Sequence, residues 1–312
     1  MTEGRLNRPP IATPRWVWAV QALVTVAVVW FVGRSIARNW TEFRSLHVVL
    51  AIQPGWIALS AAFVLLTYAM QVESWRRIIG GWGQDIAFGP AARAWSLANL
   101  GRYVPGKVWS VAGLVVLARQ AGVAAGPAAA SAFVVQALAL GTGAAVVAAA
   151  TPHAASPLRL VAAGLAGVLT IGALVWPPSA RALGRLMSGI VSLGPLTTGA
   201  VIAGAVLTVL SWIAYGVALW LLARGLLPDA RLPLAQAVGA FTLGYILGVL
   251  ALFAPGGVGI RELVLVGLLS PSLGGGGAVA LSLASRVVLT LLEAAAALLT
   301  WPFRPRPQES AT

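Results

Sequence analysis

A few ionisable residues lie inside long apolar stretches of this chain, and these are the residues that could do chemistry. Arg261, Glu262 and Arg286 have long uncharged sequence on both sides. A charge in an apolar surrounding is costly and usually marks a binding pathway or an ion pair. We therefore predict that these three residues bind substrate, and that Glu262 pairs with Arg286 or Arg102. Glu293, two helical turns after Arg286, is predicted to form a hydrogen bond with a neighbouring helix.

Two more cations flank a helix break. Arg102 and Lys107, the single lysine of the chain, lie on either side of Pro105-Gly106, and a second break occurs at Pro255-Gly256. Proline removes a backbone donor, and glycine lets the chain turn sharply. Where a helix restarts after such a break, free N–H groups and the positive end of its dipole attract anions. With Arg102, Lys107 and Arg261 beside them, these helix ends predict a site for a phosphate group.

The composition excludes most soluble classes of protein. The chain has 312 residues, of which 59% are hydrophobic and 9% are charged, and its mean hydropathy is +0.88. Soluble domains have about 25% charged residues, so we predict a polytopic membrane protein. The net charge of +13 comes from arginines at the ends of apolar runs, where they meet lipid head groups, so no nucleic-acid partner is expected. With no cysteine and only His47 and His153, no metal or other cofactor is expected.

The apolar stretches predict the elements that position these charges. Two segments, 90–118 and 232–270, contain the Pro-Gly breaks and predict re-entrant hairpins, because broken helices are tolerated at membrane depth only inside protein or a cavity. The predicted fold is therefore all-α, with about six full membrane spans and two re-entrant hairpins. The six spans are predicted at residues 16–33, 55–72, 127–150, 158–176, 199–223 and 277–300.

The order of these elements repeats along the chain. Each half reads span, span, broken segment, span, so we predict one membrane domain over 15–303 with repeats at about 15–150 and 158–303. Three crossings per half make the repeats inverted, as in many transporters. The tails at 1–14 and 304–312 are predicted to be disordered, and the arginine distribution places both of them in the cytoplasm. The excess of arginine over lysine and the many alanines indicate a GC-rich bacterial genome, and hence a bacterial cytoplasmic membrane.

Both breaks resemble signatures of a known family. The stretch Gly101-Arg102-Tyr103-Val104-Pro105-Gly106-Lys107-Val108-Trp109 is similar to the "kyiPGkv" motif of the lysylphosphatidylglycerol synthase transmembrane family. The stretch Pro255-Gly256-Gly257-Val258-Gly259-Ile260-Arg261-Glu262 is similar to its "PGGlGvRE" motif. The resemblance covers roughly residues 15–303 and implies a flippase-like domain that moves lipids between leaflets.

The resemblance also implies roles for single residues. It points to structural roles for the residues of the two turns, which are Pro105, Gly106, Pro255, Gly256, Gly257 and Gly259. It points to binding roles for Arg102, Lys107, Arg261 and Glu262. Because the chain ends at Thr312 without the soluble aminoacyl-transferase domain of multiple peptide resistance factors, we expect a stand-alone member that does not make aminoacylated lipid.

The predicted function is translocation of an anionic phospholipid or a polyprenyl-phosphate-linked lipid, without catalysis. A polyprenyl-diphosphate phosphatase is the first alternative, but its Ser-Arg pair follows neither Pro-Gly turn. A lipid-linked glycosyltransferase needs an acidic residue in an early external loop, for which Glu42 alone is available. A membrane partner of a lipid-modifying complex stays open as a third function. Besides the lipid, a second copy of the chain and a lipid-modifying enzyme stay open as partners.

Overall fold

The computed structural model describes residues 51–103, 108–150, 157–176, 196–229, 231–251 and 255–303. Pro105, Gly106 and Lys107 lie outside these residues, as do the predicted span at 16–33 and both tails. The described residues contain no β-strand; they form two short 3₁₀ segments, Gly101–Tyr103 and Pro255–Gly257, and eight α-helices. The helices are α1 (Pro54–Gly80), α2 (Phe88–Leu100), α3 (Val108–Gln120), α4 (Ala125–Ala150), α5 (Pro157–Val175), α6 (Thr198–Leu226), α7 (Leu234–Leu250) and α8 (Ile260–Thr300).

The helix lengths confirm an all-α polytopic membrane protein. Among the described residues, α1, α4, α6 and α8 are long and apolar enough to cross a membrane. The helix α5 has 19 residues and coincides with the span predicted at 158–176. The predicted spans at 127–150 and 199–223 also lie within single helices, α4 and α6.

The helix α1 runs further than predicted. Its span was expected to end at residue 72, but the helix continues to Gly80. In this extension Trp75, Ile78 and Ile79 have no exposed surface, so neighbouring helices bury them. Glu73 also pairs with the two arginines that follow it within one helical turn. Packing and local ion pairs therefore hold the added turns in helical form.

The last helix differs from the prediction in a similar way. A hairpin arm ending near residue 270 was expected, followed by a separate span from 277, but α8 covers both in 41 residues. Gly274 interrupts the helical geometry with φ 71° and ψ 163°, and Pro271 precedes it inside the helix. Glycine accepts this backbone conformation without steric penalty. The arm and the span are therefore joined by a kink.

The two interrupted segments each form a pair of packed helices. The helices α2 and α3 have 13 residues each, which is shorter than the roughly 20 residues that cross a bilayer. A Cβ on Gly113 would lie 3.6 Å from Ala98 Cα, so the two helices pack closely. The helix α7, with 17 residues, packs in the same way against the start of α8. Each predicted hairpin thus corresponds to a pair of packed helices, while their re-entrant insertion from opposite sides and the inverted repeat stay predictions.

An aromatic cluster supports the second hairpin. Tyr215 on α6 stacks on Phe241 of α7, with ring centroids 4.5 Å apart. Trp212 contacts both Tyr215 and Tyr245, at centroid distances of 6.4 Å and 4.9 Å. Buried aromatic contacts of this kind fix neighbouring helices through large apolar area. These ring contacts hold α7 against α6, and Phe241 also lies next to the start of α8.

Candidate functional site

The turn before α8 depends on three glycines with left-handed backbone. Gly256, Gly257 and Gly259 have φ values of 58°, 70° and 85°, which residues with a Cβ rarely adopt. The space at Gly257 is also restricted, because a Cβ there would lie 2.9 Å from Gly248 Cα on α7. The glycines therefore let the two backbones touch, as small residues do at helix contacts in membranes.

Arg261 lies over the glycine face of α7. A Cβ on Gly244 would lie 3.4 Å from Arg261 Cγ, and the guanidinium carbon lies 4.6 Å from the ring centroid of Phe241. Its Nη2 donates a hydrogen bond to Ser285 Oγ over 3.2 Å. Its Nε is buried and finds no acceptor among the described residues. Within that part of the chain Arg261 also forms no ion pair, so it is a partly buried cation with an unused donor.

The neighbouring carboxylate has the partner that the sequence predicts. Arg286 Nη1 donates to Glu262 Oε1 over 2.5 Å, with side chains only 17% and 19% exposed, and this confirms the predicted pair. The other oxygen of Glu262 accepts the backbone N–H of Gly259 over 2.7 Å. A capping carboxylate thus occupies the first turn of α8. This carboxylate takes up one N–H of the helix end, and phosphate binding at this position stays a prediction. Arg261 forms no ion pair among the described residues.

The first break carries a second ion pair. Arg102 Nη1 donates to Glu293 Oε1 over 3.0 Å, and Tyr103 Oη donates to Glu293 Oε2 over 2.7 Å. Glu293 is only 7% exposed, so both of its oxygens are satisfied inside the protein. Glu293 thus accepts hydrogen bonds from the 3₁₀ segment Gly101–Tyr103, which confirms that it bonds to a neighbouring helical segment. It attaches the first break to the last helix.

The two ion pairs converge where the breaks meet. A methyl group placed on Gly256 would lie 3.6 Å from Tyr103 Cδ1 and 3.7 Å from Arg286 Nη2. The breaks therefore contact each other, although Pro105 itself lies outside the described residues.

The charges at this contact do not cancel. Three arginines and two glutamates of the described residues meet there, which leaves one positive charge, at Arg261. No group of three His, Cys, Asp or Glu side chains able to hold a metal occurs in the same part of the chain. The arrangement can therefore bind one anionic group by charge and hydrogen bonds.

Three contributors to the site were not predicted from the sequence. Glu293 was not foreseen as the partner of Arg102, and neither Ser285 nor Phe241 was expected to contact Arg261. Helical spacing offered a partial signal, because Ser285, Arg286 and Glu293 fall near one face of α8. Phe241 had no such signal, since only the packing of α7 on α8 brings its ring to the guanidinium.

These features define a polytopic α-helical membrane protein with buried ion pairs at two paired helix breaks. The chain belongs to the family described as lysylphosphatidylglycerol synthase TM region, which it matches over residues 18–297. The predicted family is thus confirmed, and it indicates a membrane protein of lipid metabolism or transport. No curated protein matches the chain.

Proposed function

We propose that this protein is a lipid flippase that moves a lipid with an anionic, phosphate-bearing head group between the two leaflets. The observation that carries the proposal is the partly buried side chain of Arg261, which forms no ion pair among the described residues and whose Nε is buried without an acceptor there. A buried cation without an anion is costly, and a phosphate would supply both the missing charge and acceptors for the unused donors. Arginine suits this role because its planar fork binds phosphate oxygens in pairs.

A lipid is the source of phosphate that fits a site inside an apolar helix bundle. Its acyl chains stay in the bilayer while the head group passes the contact between the two breaks. A small residue such as Gly244, beside Arg261, has no side-chain hydrogen bond to lose when the helices move apart at that point. Under this proposal the two repeats rock against each other and open the site to each leaflet in turn. Lys107 stays a predicted phosphate-binding residue. Glu262, next to Arg261 in the sequence, pairs with Arg286, and Arg102 pairs with Glu293.

The rest of the proposal concerns the setting of the protein. The site acts without covalent chemistry, so we propose a transporter and no enzyme. The membrane is the cytoplasmic membrane of a bacterium, with both termini in the cytoplasm, as the arginine distribution favours. A lipid-modifying enzyme that supplies the lipid, or a second copy of the chain, is the protein partner.

The test is transport of a fluorescent lipid in proteoliposomes. Arg261→Gln should slow dithionite-accessible flipping of NBD-phosphatidylglycerol by about tenfold to a hundredfold, because a charge-assisted hydrogen bond contributes roughly 1.5–3 kcal/mol. Arg261→Lys, which keeps the charge but loses the fork, should retain intermediate activity. The matched control is Arg119→Gln, at an exposed arginine in the last turn of α3, which should transport like the wild type.

The same assay separates the alternatives. Equal transport by the Arg261→Gln and Arg119→Gln variants, with equal melting temperatures, would exclude Arg261 from the pathway. Release of inorganic phosphate from a polyprenyl diphosphate would establish the phosphatase alternative instead. If the wild-type protein moves lipid no faster than protein-free liposomes do, a membrane partner of a lipid-modifying complex is the function that remains.

A further inference from the structure

A cavity with a polar but uncharged lining lies beside the arginine site. Its volume is about 110 Å³, and it lies between the first hairpin and the helices α1, α4, α6 and α7. The described residues around it contribute three side-chain amides, from Gln71, Asn99 and Gln136, together with serine and threonine hydroxyls. None of these described lining residues is Asp, Glu, Lys, Arg or His. The cavity can therefore hold a polar group that carries no charge of its own.

Two residues that line the cavity each carry a side-chain donor without a partner among the described residues. The indole Nε1–H of Trp95 and the amide Nε2 of Gln136 are buried and find no acceptor among the described residues. Buried polar groups are nearly always hydrogen-bonded in native proteins. An unsatisfied donor that lines a cavity therefore indicates a ligand or water that is bound there.

The cavity also offers acceptors and an apolar surface. Ser211 Oγ donates to Thr208 O over 2.8 Å, so its lone pairs remain free to accept a hydrogen bond. The rings of Trp212 and Tyr245 form another part of the wall. Hydroxyl groups on a carbon skeleton match this combination, because each hydroxyl both donates and accepts while the C–H groups pack on aromatic rings.

The size and position of the cavity fit a head group that extends from a phosphate. A volume of about 110 Å³ is somewhat below that of a cavity of roughly 150 Å³ that holds benzene, so it has room for a glycerol unit or for part of a sugar ring. Asn99 lines the cavity, and its backbone carbonyl oxygen accepts a hydrogen bond from Arg102 Nε over 3.2 Å. The cavity thus adjoins the cluster of buried arginines.

We propose that this cavity binds the uncharged polyhydroxyl part of the lipid head group, a glycerol or sugar unit attached to the phosphate. The proposal rests on the proposed lipid transport and narrows its substrate class. A head group with its own ammonium or carboxylate finds no counterion among the described lining residues, so the cavity selects against it.

The test compares two lipids of equal net charge. Phosphatidylglycerol and phosphatidylserine with the same NBD-labelled acyl chain both carry one net negative charge. Their attraction to Arg261 should therefore be similar, and only the part of the head group beyond the phosphate differs. Wild-type protein in phosphatidylcholine liposomes should move phosphatidylglycerol faster. Gln136→Leu and Trp95→Phe should each lower this preference about fivefold, as expected for one lost hydrogen bond.

Melting temperatures separate a binding role from a structural one. Since neither donor has a partner within the described protein, Gln136→Leu and Trp95→Phe should not lower the melting temperature. The matched controls keep the wild-type preference. They are Gln120→Leu, at an exposed position, and Trp220→Phe, whose indole donates to Leu232 O outside the cavity. A lower melting temperature with unchanged preference would overturn the proposal.

A binding measurement decides the case in which no lipid is moved. The deacylated head group glycerophosphoglycerol should raise the melting temperature of the wild type, whereas glycerophosphoserine should not, and Gln136→Leu should remove the difference. Binding without transport would keep this cavity assignment and reject the flippase. Transport of both lipids at equal rates would keep the flippase and reject the cavity assignment. Binding of neither head group would mean that the cavity holds water only, and would also reject it.

Discussion

The pair of Glu262 and Arg286 allows a quantitative test of how the site is stabilised. Among the described residues, Glu262 is the only carboxylate that pairs with Arg286, so Glu262→Gln leaves Arg286 and Arg261 without an anion. Removing one partner of a buried pair costs about 3–5 kcal/mol. The side chains are 17% and 19% exposed, so some water still reaches them, and we expect about 2–4 kcal/mol for Glu262→Gln.

The two single substitutions should differ. In Arg286→Met the carboxylate of Glu262 keeps its hydrogen bond from Gly259 N–H and has Arg261 as a neighbouring cation. We therefore expect a smaller loss, of about 1–2 kcal/mol. The double variant Glu262→Gln/Arg286→Met leaves neither charge unpaired and should lose only about 1–2 kcal/mol, clearly less than the sum of the single variants.

Thermal unfolding in detergent, followed by tryptophan fluorescence, measures these differences. At about 2 °C per kcal/mol for a chain of this size, Glu262→Gln should lower the melting temperature by about 4–8 °C and the double variant by about 2–4 °C. The control is Arg77→Met, which breaks an exposed pair with Glu73 in which Arg77 is 61% exposed and should shift the melting temperature by less than about 2 °C. Strictly additive shifts in the double variant would refute the reasoning that the two charges depend on each other.

Two further predictions concern the contact between the breaks, and both use the same melting assay. Glu293→Gln should destabilise the protein by about 2–4 kcal/mol, because it leaves Arg102 unpaired. Tyr103→Phe removes one hydrogen bond to the same carboxylate and should cost about 1 kcal/mol. The opposite order would contradict the role of Glu293 in attaching the first break to α8. Gly257→Ala should prevent the close packing of the second break on α7, since its Cβ would lie 2.9 Å from Gly248 Cα at φ 70°. Gly267→Ala, in open space on α8, should be neutral or stabilising by up to about 1 kcal/mol. Equal melting temperatures for these two alanine variants would show that the glycine contact does not support the fold.

The sequence predicts the elements of this fold well where the signal is local. Proline and glycine act on their own backbone, so the breaks near residues 105 and 255 are visible without any structure. The pairing of Glu262 was also predictable, because few cations occur in apolar sequence and one of them had to neutralise it. The ends of α1 and α8 were not predictable in this way. They depend on burial by other helices and on a kink at Gly274 that resembles a loop in the sequence.

The contacts that complete the site are long-range, which is why the sequence does not reveal them. Arg102 and Glu293 are 191 positions apart, and many carboxylate–arginine pairings are compatible with the sequence. Only the packing of the first hairpin against α8 selects this one. The same holds for Phe241 and Arg261, which the close approach of α7 and α8 brings together.

The long-range pair also constrains how the proposed transport can occur. Arg102 and Tyr103 belong to the first half of the chain, but both bind Glu293 on the last helix of the second half. Rigid rocking of one half against the other would break both bonds and leave Arg102 and the carboxylate of Glu293 without each other, at a cost of several kcal/mol. A lipid phosphate that enters the cluster can accept the hydrogen bonds of Arg102 in place of Glu293, so this arginine keeps an anionic partner when the first break moves. An anionic substrate is therefore better suited than a neutral lipid to release the first break from Glu293 during transport.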